Sequence, residues 1–151
     1  MSLNRTVMAD DIITLLKASV KTSLAKVEDK AIGFGTRRIE QLFALSYTRG
    51  ILVTLGGGSV VPLTMGASKL DVTHSIEIVV YVIGHDPAAD LKAAAALVDE
   101  IEEVLWANKT LANGGTIIDQ PSVMFGPPVA HSDLTMHWGV IQVRYQKTGI
   151  A

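Results

Sequence analysis

A chain of 151 residues is one domain's worth of sequence, long enough to bury roughly 70% of the surface it exposes when unfolded, so it needs neither disulfide nor metal to fold. It has no cysteine, a net charge of −2, and 19% charged against 48% hydrophobic residues. This excludes disulfide frameworks, thiolate zinc sites and cysteine nucleophiles, and offers no basic surface for direct nucleic-acid binding.

No run of 18 apolar residues occurs, so no membrane-spanning helix is expected. The first residues lack a basic start followed by an apolar core, so no secretory leader is expected either. A mean hydropathy of +0.34 with so little charge points to surface hidden in an oligomer. No internal repeat or dividing linker interrupts residues 1–151, which gives a single domain.

Ile12, Ile13, Leu16, Val20, Leu24 and Val27 recur at three- and four-residue steps, while Lys17, Lys21 and Lys26 fall on the other side. The spacing predicts one amphipathic helix over 7–27. Thr6 is its expected N-cap, and Asp10 and Asp11 suit the positive end of the dipole. Residues 28–50 hold Gly33, Gly35 and a short apolar segment at Leu42–Leu45. They read as a long excursion containing a short strand or a helical turn. Excursions of that length are commonly functional, so this is the expected partner-facing segment.

Ile51–Leu55 reads as a strand. Gly56-Gly57-Gly58-Ser59 then leads into Val60-Val61-Pro62-Leu63, which predicts a hairpin or broad turn with its second strand at an edge, because Pro62 cannot donate to a ladder. From Val72 to Val82 the even positions are Val72, His74, Ile76, Ile78, Val80 and Val82. The odd ones begin polar (Thr73, Ser75, Glu77) and end apolar (Val79, Tyr81, Ile83). One face is therefore buried throughout. The other is wet at the start and covered at the end, either by the following helix or by a neighbouring subunit.

Gly84 ends that strand, Asp86 caps the next helix, and Pro87 fits its first position. Leu91, Ala94, Ala95, Val98, Ile101 and Leu105 form the expected inward stripe, with Asp99, Glu102 and Glu103 outward. Asn108 and Asn113-Gly114-Gly115 close the helix region. Thr116–Asp119 is a strand that can run on to Phe125 past Pro121. Gly126-Pro127-Pro128 breaks it, and Thr135–Gln146 alternates as a half-exposed strand. The expected fold is a two-layer α+β domain, with two helices on one face of a mostly antiparallel sheet of four to five strands.

The chemistry-bearing residues do not form a known pattern. Gly56–Gly58 leads into extended chain rather than a helix with a following lysine, so a turn is a better reading than a phosphate loop. His74, His85, His131 and His137 form no HExxH or two-histidine helical pair. His131-Ser132-Asp133 near His137 offers only a loose N/O set, short of what zinc needs. Asp99, Glu100, Glu102 and Glu103 read as a solvated helix face, and GxSxG is absent. Trp106 and Trp138 read as packing residues. Arg37-Arg38, the one paired basic site, reads equally as exposed loop or partner contact. No catalytic, cofactor-binding or metal-binding residue is assigned.

The order of elements carries a resemblance. An N-terminal helix and a glycine-bearing excursion lead to "GILVTL". Then come "HSIEIVVYVIG" with Asp86 at its corner, the helix "LKAAAALVDEIEEVLWANKTL", a glycine turn, and "WGVIQVRYQ". From Val7 to Gln146 this pattern resembles the tail-terminator, or tail-completion, proteins of long-tailed bacteriophages and prophages. The resemblance implies a non-enzymatic structural subunit with no cofactor, found in the tail or neck of a virion assembled in a bacterial cytoplasm. It implies a homo-oligomeric ring, typically a hexamer, that stops tail polymerisation. Its implied partners are further copies of itself, the tail-tube protein and a head-connector or completion protein. No contact residue transfers by position. Arg37, Arg38, Gly56, Gly57 and Gly58 stand as possible contact loops on this sequence's own pattern. Alternatives are another head–tail neck or minor tail component, a small metal- or ligand-binding α+β domain using the histidines, and a bacterial protein with a plain structural role.

Overall fold

In the computed structural model, residues 5–35, 42, 48–62 and 70–150 are described. The fold is built around β3 (Leu70–Gly84), whose alternation of branched apolar residues fits a strand buried on one face. It pairs antiparallel along its length with β2 (Arg49–Pro62) on one side and β7 (Leu134–Ile150) on the other. Beyond β2 lies β1 (Ile32–Phe34), paired parallel at Ile32–Phe34 against Ile51–Val53. The far side of β7 is covered piecewise by β4 (Thr116–Ile117), β5 (Ser122–Phe125) and β6 (Val129–His131). The result, among the described residues, is a mixed, mostly antiparallel sheet of seven strands rather than four or five.

Helices α1 (Arg5–Lys17), α2 (Thr22–Ala25) and α3 (Pro87–Ala107) contribute to the larger core. They meet the even positions of β3 (Val72, Ile76, Ile78, Val80, Val82) and Ile141, Val143 and Tyr145 of β7. The α+β class holds, with these three α-helices among the described residues where two were expected. α1 packs over β1 and β2, and α3 over β3 and β7. The corner between β3 and α3 follows the sequence reading: Asp86 caps α3 by accepting from the Ala89 N–H at 3.2 Å, with Pro87 first in the helix.

The N-terminal helix breaks where one continuous helix was expected. Ser19 Oγ accepts from the Lys21 N–H at 3.2 Å, a local bond that competes with helical pairing. Val20 stands 94% exposed in the resulting turn rather than in the buried stripe. The break lets α2 sit on α3, where Glu100 accepts the Ser23 N–H at 2.9 and 3.0 Å. Thr6 lies inside α1 and not at its cap. Asp11 accepts from the backbone and side-chain nitrogens of Asn113, at 3.1 and 2.7 Å, and so ties α1 to the turn after α3.

The α3 stripe also differs. Leu97 and Val104 are buried with Ala94, Val98, Ile101 and Leu105, while Leu91 is 49% exposed. At the corner the Asp90 carboxylate lies against Gly84. Ala93 and Ala94 make the first contacts with the core, which leaves Leu91 outside.

The late odd positions of β3 are not roofed by α3, which covers the opposite face. Tyr81 and Ile83 form a second, smaller core with Leu42, Leu52 and Met136, flanked by Val79, Val129, Leu134 and Trp138. The sheet is therefore apolar on both faces near the corner. Towards its other end the far face is polar, with Glu77 opposite Thr54 and Gln142, and Ser75 opposite Arg144.

β6 and β7 form a hairpin where a loop was expected, turning at Ser132-Asp133 with Ser132 at φ +57°. A positive φ at the first of two turn positions suits glycine. Ser132→Gly is expected to raise unfolding free energy by about 1 kcal/mol by relieving the left-handed conformation, which chemical denaturation will measure.

Candidate interaction surface

The expected contact residues divide sharply. Arg37 and Arg38 lie outside the described residues. Gly56, Gly57 and Gly58 do not form a loop or hairpin: they sit within β2, at the irregularity between Leu55 and Gly58 where the register against β3 shifts. A side chain at Gly56 would lie 2.8 Å from Ser75 Cβ and 2.9 Å from Ser75 O. Glycine suits position 56 because the bulge brings the two backbones together there.

The histidines are dispersed. His74 and His137 are buried on the helix-covered face at opposite ends of the sheet, opposite Tyr145 and Val82 respectively. His85 and His131 are exposed, and His85 Nδ1 lies 3.2 Å from the Asp133 carbonyl oxygen. Among the described residues no three His, Asp or Glu side chains are placed to hold a metal. The Tyr145 hydroxyl has no hydrogen-bond partner among the described residues, and burial drives its pKa strongly upward.

Trp106 is not a packing residue. It is half-exposed, with the Lys109 ammonium 4.3 Å from its ring centroid. With Glu102, Glu103, Gln120 and Pro121 it lines an open cleft of about 420 Å³. Partial burial raises the Glu102 pKa, with Asp99 adding to it. The folded state thus holds this proton more tightly than the unfolded chain. Glu102 therefore costs stability as pH rises from its ordinary 4.5 through the raised value, and costs nothing below 4.5. Glu102→Gln is expected to raise the melting temperature at pH 7 and leave it unchanged at pH 4 relative to the parent, a comparison calorimetry makes directly. Glu103 pairs with Lys21 at 2.8 Å and raises the lysine's pKa through that hydrogen bond. On the sheet, Asp119 pairs with Arg144 and raises its pKa in the same way.

Exposed apolar side chains concentrate at the two sheet edges. At one edge are Phe34 of β1 and Leu55 of β2, both half-exposed. Phe34 pairs with Val53, so Leu55 lies one same-face step along β2 from that pair. At the other edge are Ile118, Met124 (62% exposed) and Phe125. Among the described residues β1 covers β2 only at Ile51–Val53, and β5 has no strand on its outer side. Sequence periodicity did not flag these residues. Their exposure depends on which strands end up outermost, and the short strands β1 and β5 are read only after pairing is known.

No helix among the described residues is long and apolar enough to cross a membrane. No protein-family model matches the chain, and no curated protein matches it. Among solved structures, the chain is similar to one in the structure titled "Virion of native gene transfer agent (GTA) particle", at 19% identity and a TM-score of 0.49, over 93% of this chain and 95% of that one.

Proposed function

We propose that this protein is a structural subunit of a phage or prophage virion, a tail-terminator-like protein that assembles as a ring at the head-proximal end of the tail tube. In this reading it stops tail polymerisation and joins tail to head, with the tail-tube protein and a head-connector protein as partners. The observation that carries the reading is the run from Val72 to Gln146, whose sequence resembles the family. It folds as strand, capped corner and long helix, and after the short strands β4–β6 the closing strand β7 pairs beside β3. Apolar side chains exposed at two separate edges suit a subunit with a neighbour on each side.

Electron microscopy and analytical ultracentrifugation of the purified protein at high concentration, with and without tail tubes, test the proposal. Rings, or caps on tube ends, are the expected result. A strict monomer that leaves tubes uncapped would defeat it. Pull-down against tail tube and against head connector separates a terminator from another neck component.

A further inference from the structure

The C-terminal half of α3 carries a carboxylate that nothing around it neutralises. Asp99, Glu102 and Glu103 share that stretch with Trp106, and the helix's last turn, at the negative end of its dipole, holds no basic residue. The nearby cations are already engaged. Lys21 pairs with Glu103, Arg144 pairs with Asp119, and Lys109 lies over the Trp106 ring. Glu102 is partly buried and has no cation partner among the described residues.

Trp106 follows Glu102 by one helical turn, so ring and carboxylate share one face of α3 and line the same open cleft. Gln120 and Pro121, from the segment between β4 and β5, line it with them. We propose that this cleft is a docking site for an arginine side chain carried on an extended segment of a partner protein. The guanidinium stacks on the Trp106 indole and pairs with the Glu102 carboxylate, with the Gln120 side-chain oxygen as a further acceptor.

Three observations select this chemistry. First, the ring already holds a cation: Lys109 Nζ lies 4.3 Å from the Trp106 centroid, so this face accepts positive charge. Lys109 is exposed and can yield its place. Second, burial and then the charge of Asp99 raise the Glu102 pKa, and no cation offsets them. A cation delivered here relieves an electrostatic strain that the free protein bears. Third, one indole beside one carboxylate makes a slot for a flat group. A guanidinium stacks and donates a two-pronged hydrogen bond at once, which an ammonium cannot. Quaternary ammonium groups are held by cages of several rings, and this cleft has one. The site does not depend on the ring reading, and either can fail alone.

The test uses the whole chain and a short capped peptide with one central arginine, beside counterparts carrying lysine or citrulline. The protein has two tryptophans, so two indole N–H resonances report by NMR, and loss of one in Trp106→Phe assigns them. Trp138 donates to the Pro127 carbonyl and serves as internal control. At pH 7 the arginine peptide is expected to shift the Trp106 resonance saturably in the millimolar range and leave Trp138 in place. The lysine peptide is expected to bind more weakly. The citrulline peptide, similar in shape but uncharged, is expected to give no shift.

Glu102→Gln is expected to weaken arginine binding by about threefold to tenfold. Lys109→Ala clears the ring and is expected to tighten binding by about twofold to fivefold. Lowering the pH from 7 towards 4.5 protonates Glu102 and weakens binding in the parent, and does so far less in Glu102→Gln. Parental circular dichroism spectra for both variants keep these comparisons on folded protein. An equal shift with citrulline would make the cleft an apolar one, and equal affinity for lysine would remove the arginine assignment. No shift with the arginine peptide, or unchanged binding in Glu102→Gln, would overturn the site outright.

Discussion

Replacing Leu97 with alanine is expected to lower the free energy of unfolding by about 2–5 kcal/mol. Leu97 is fully buried in the middle of α3, in the core that α3 shares with the even positions of β3 and with Ile141 and Val143 of β7. Truncation removes the transfer free energy of the lost carbons and leaves a cavity. The walls cannot close on it easily, since the sheet beneath is held by β3 pairing on both sides. Leu91→Ala is the matched control. It removes the same atoms from the same helix at a half-exposed position, and its cost is expected to stay within about 0.5 kcal/mol. Urea denaturation of the two variants reads the difference. Equal costs would mean that α3 does not pack in this register.

The contrast between these two leucines shows how far the sequence carries. Both fit a helical stripe by spacing, and the expected stripe included Leu91 and omitted Leu97. Spacing alone does not say where a helix leaves the sheet. The Asp86 cap, the Pro87 start and the alternation of β3 were legible because each is a local property of a few residues. The continuity of β2 was not. Three glycines are a strong turn signal, and only a long partner strand makes a bulge the alternative. The helix break at Ser19 goes with a contact between α2 and Glu100, 77 residues away in sequence, which no local pattern shows. Both faces of β3 were correctly expected to be covered near its end. Which body covers which face was a tertiary question: α3 took the even side, and Leu42 fell on the odd side. The edge patches were least legible of all, since Phe34, Leu55 and Met124 look like ordinary strand residues until the outermost strands are known.

A substitution at Gly50 is expected to dismantle the second core while sparing the first. Gly50 lies opposite Tyr81 in the β2–β3 ladder, and the Tyr81 ring lies across it in the space a side chain would occupy. In Gly50→Ala the new methyl overlaps the phenol, so either the ring must leave its buried position or β2 must move away from β3. Overpacking of this kind costs about 1–3 kcal/mol. Expelling a buried tyrosine adds the loss of its contacts with Leu52, Ile83 and Met136, so the total is expected to reach about 3 kcal/mol. Gly33→Ala sets the baseline. It lies in neighbouring β1, has no heavy atom within 4 Å of the added carbon and no positive φ, and is expected to be neutral or slightly stabilising. Near-ultraviolet circular dichroism would then show a loss of tyrosine signal in Gly50→Ala with far-ultraviolet helix content kept, because α1 and α3 pack on the other face. If Gly50→Ala melts like Gly33→Ala with its aromatic signal unchanged, Tyr81 does not occupy that space and the far face is not a core.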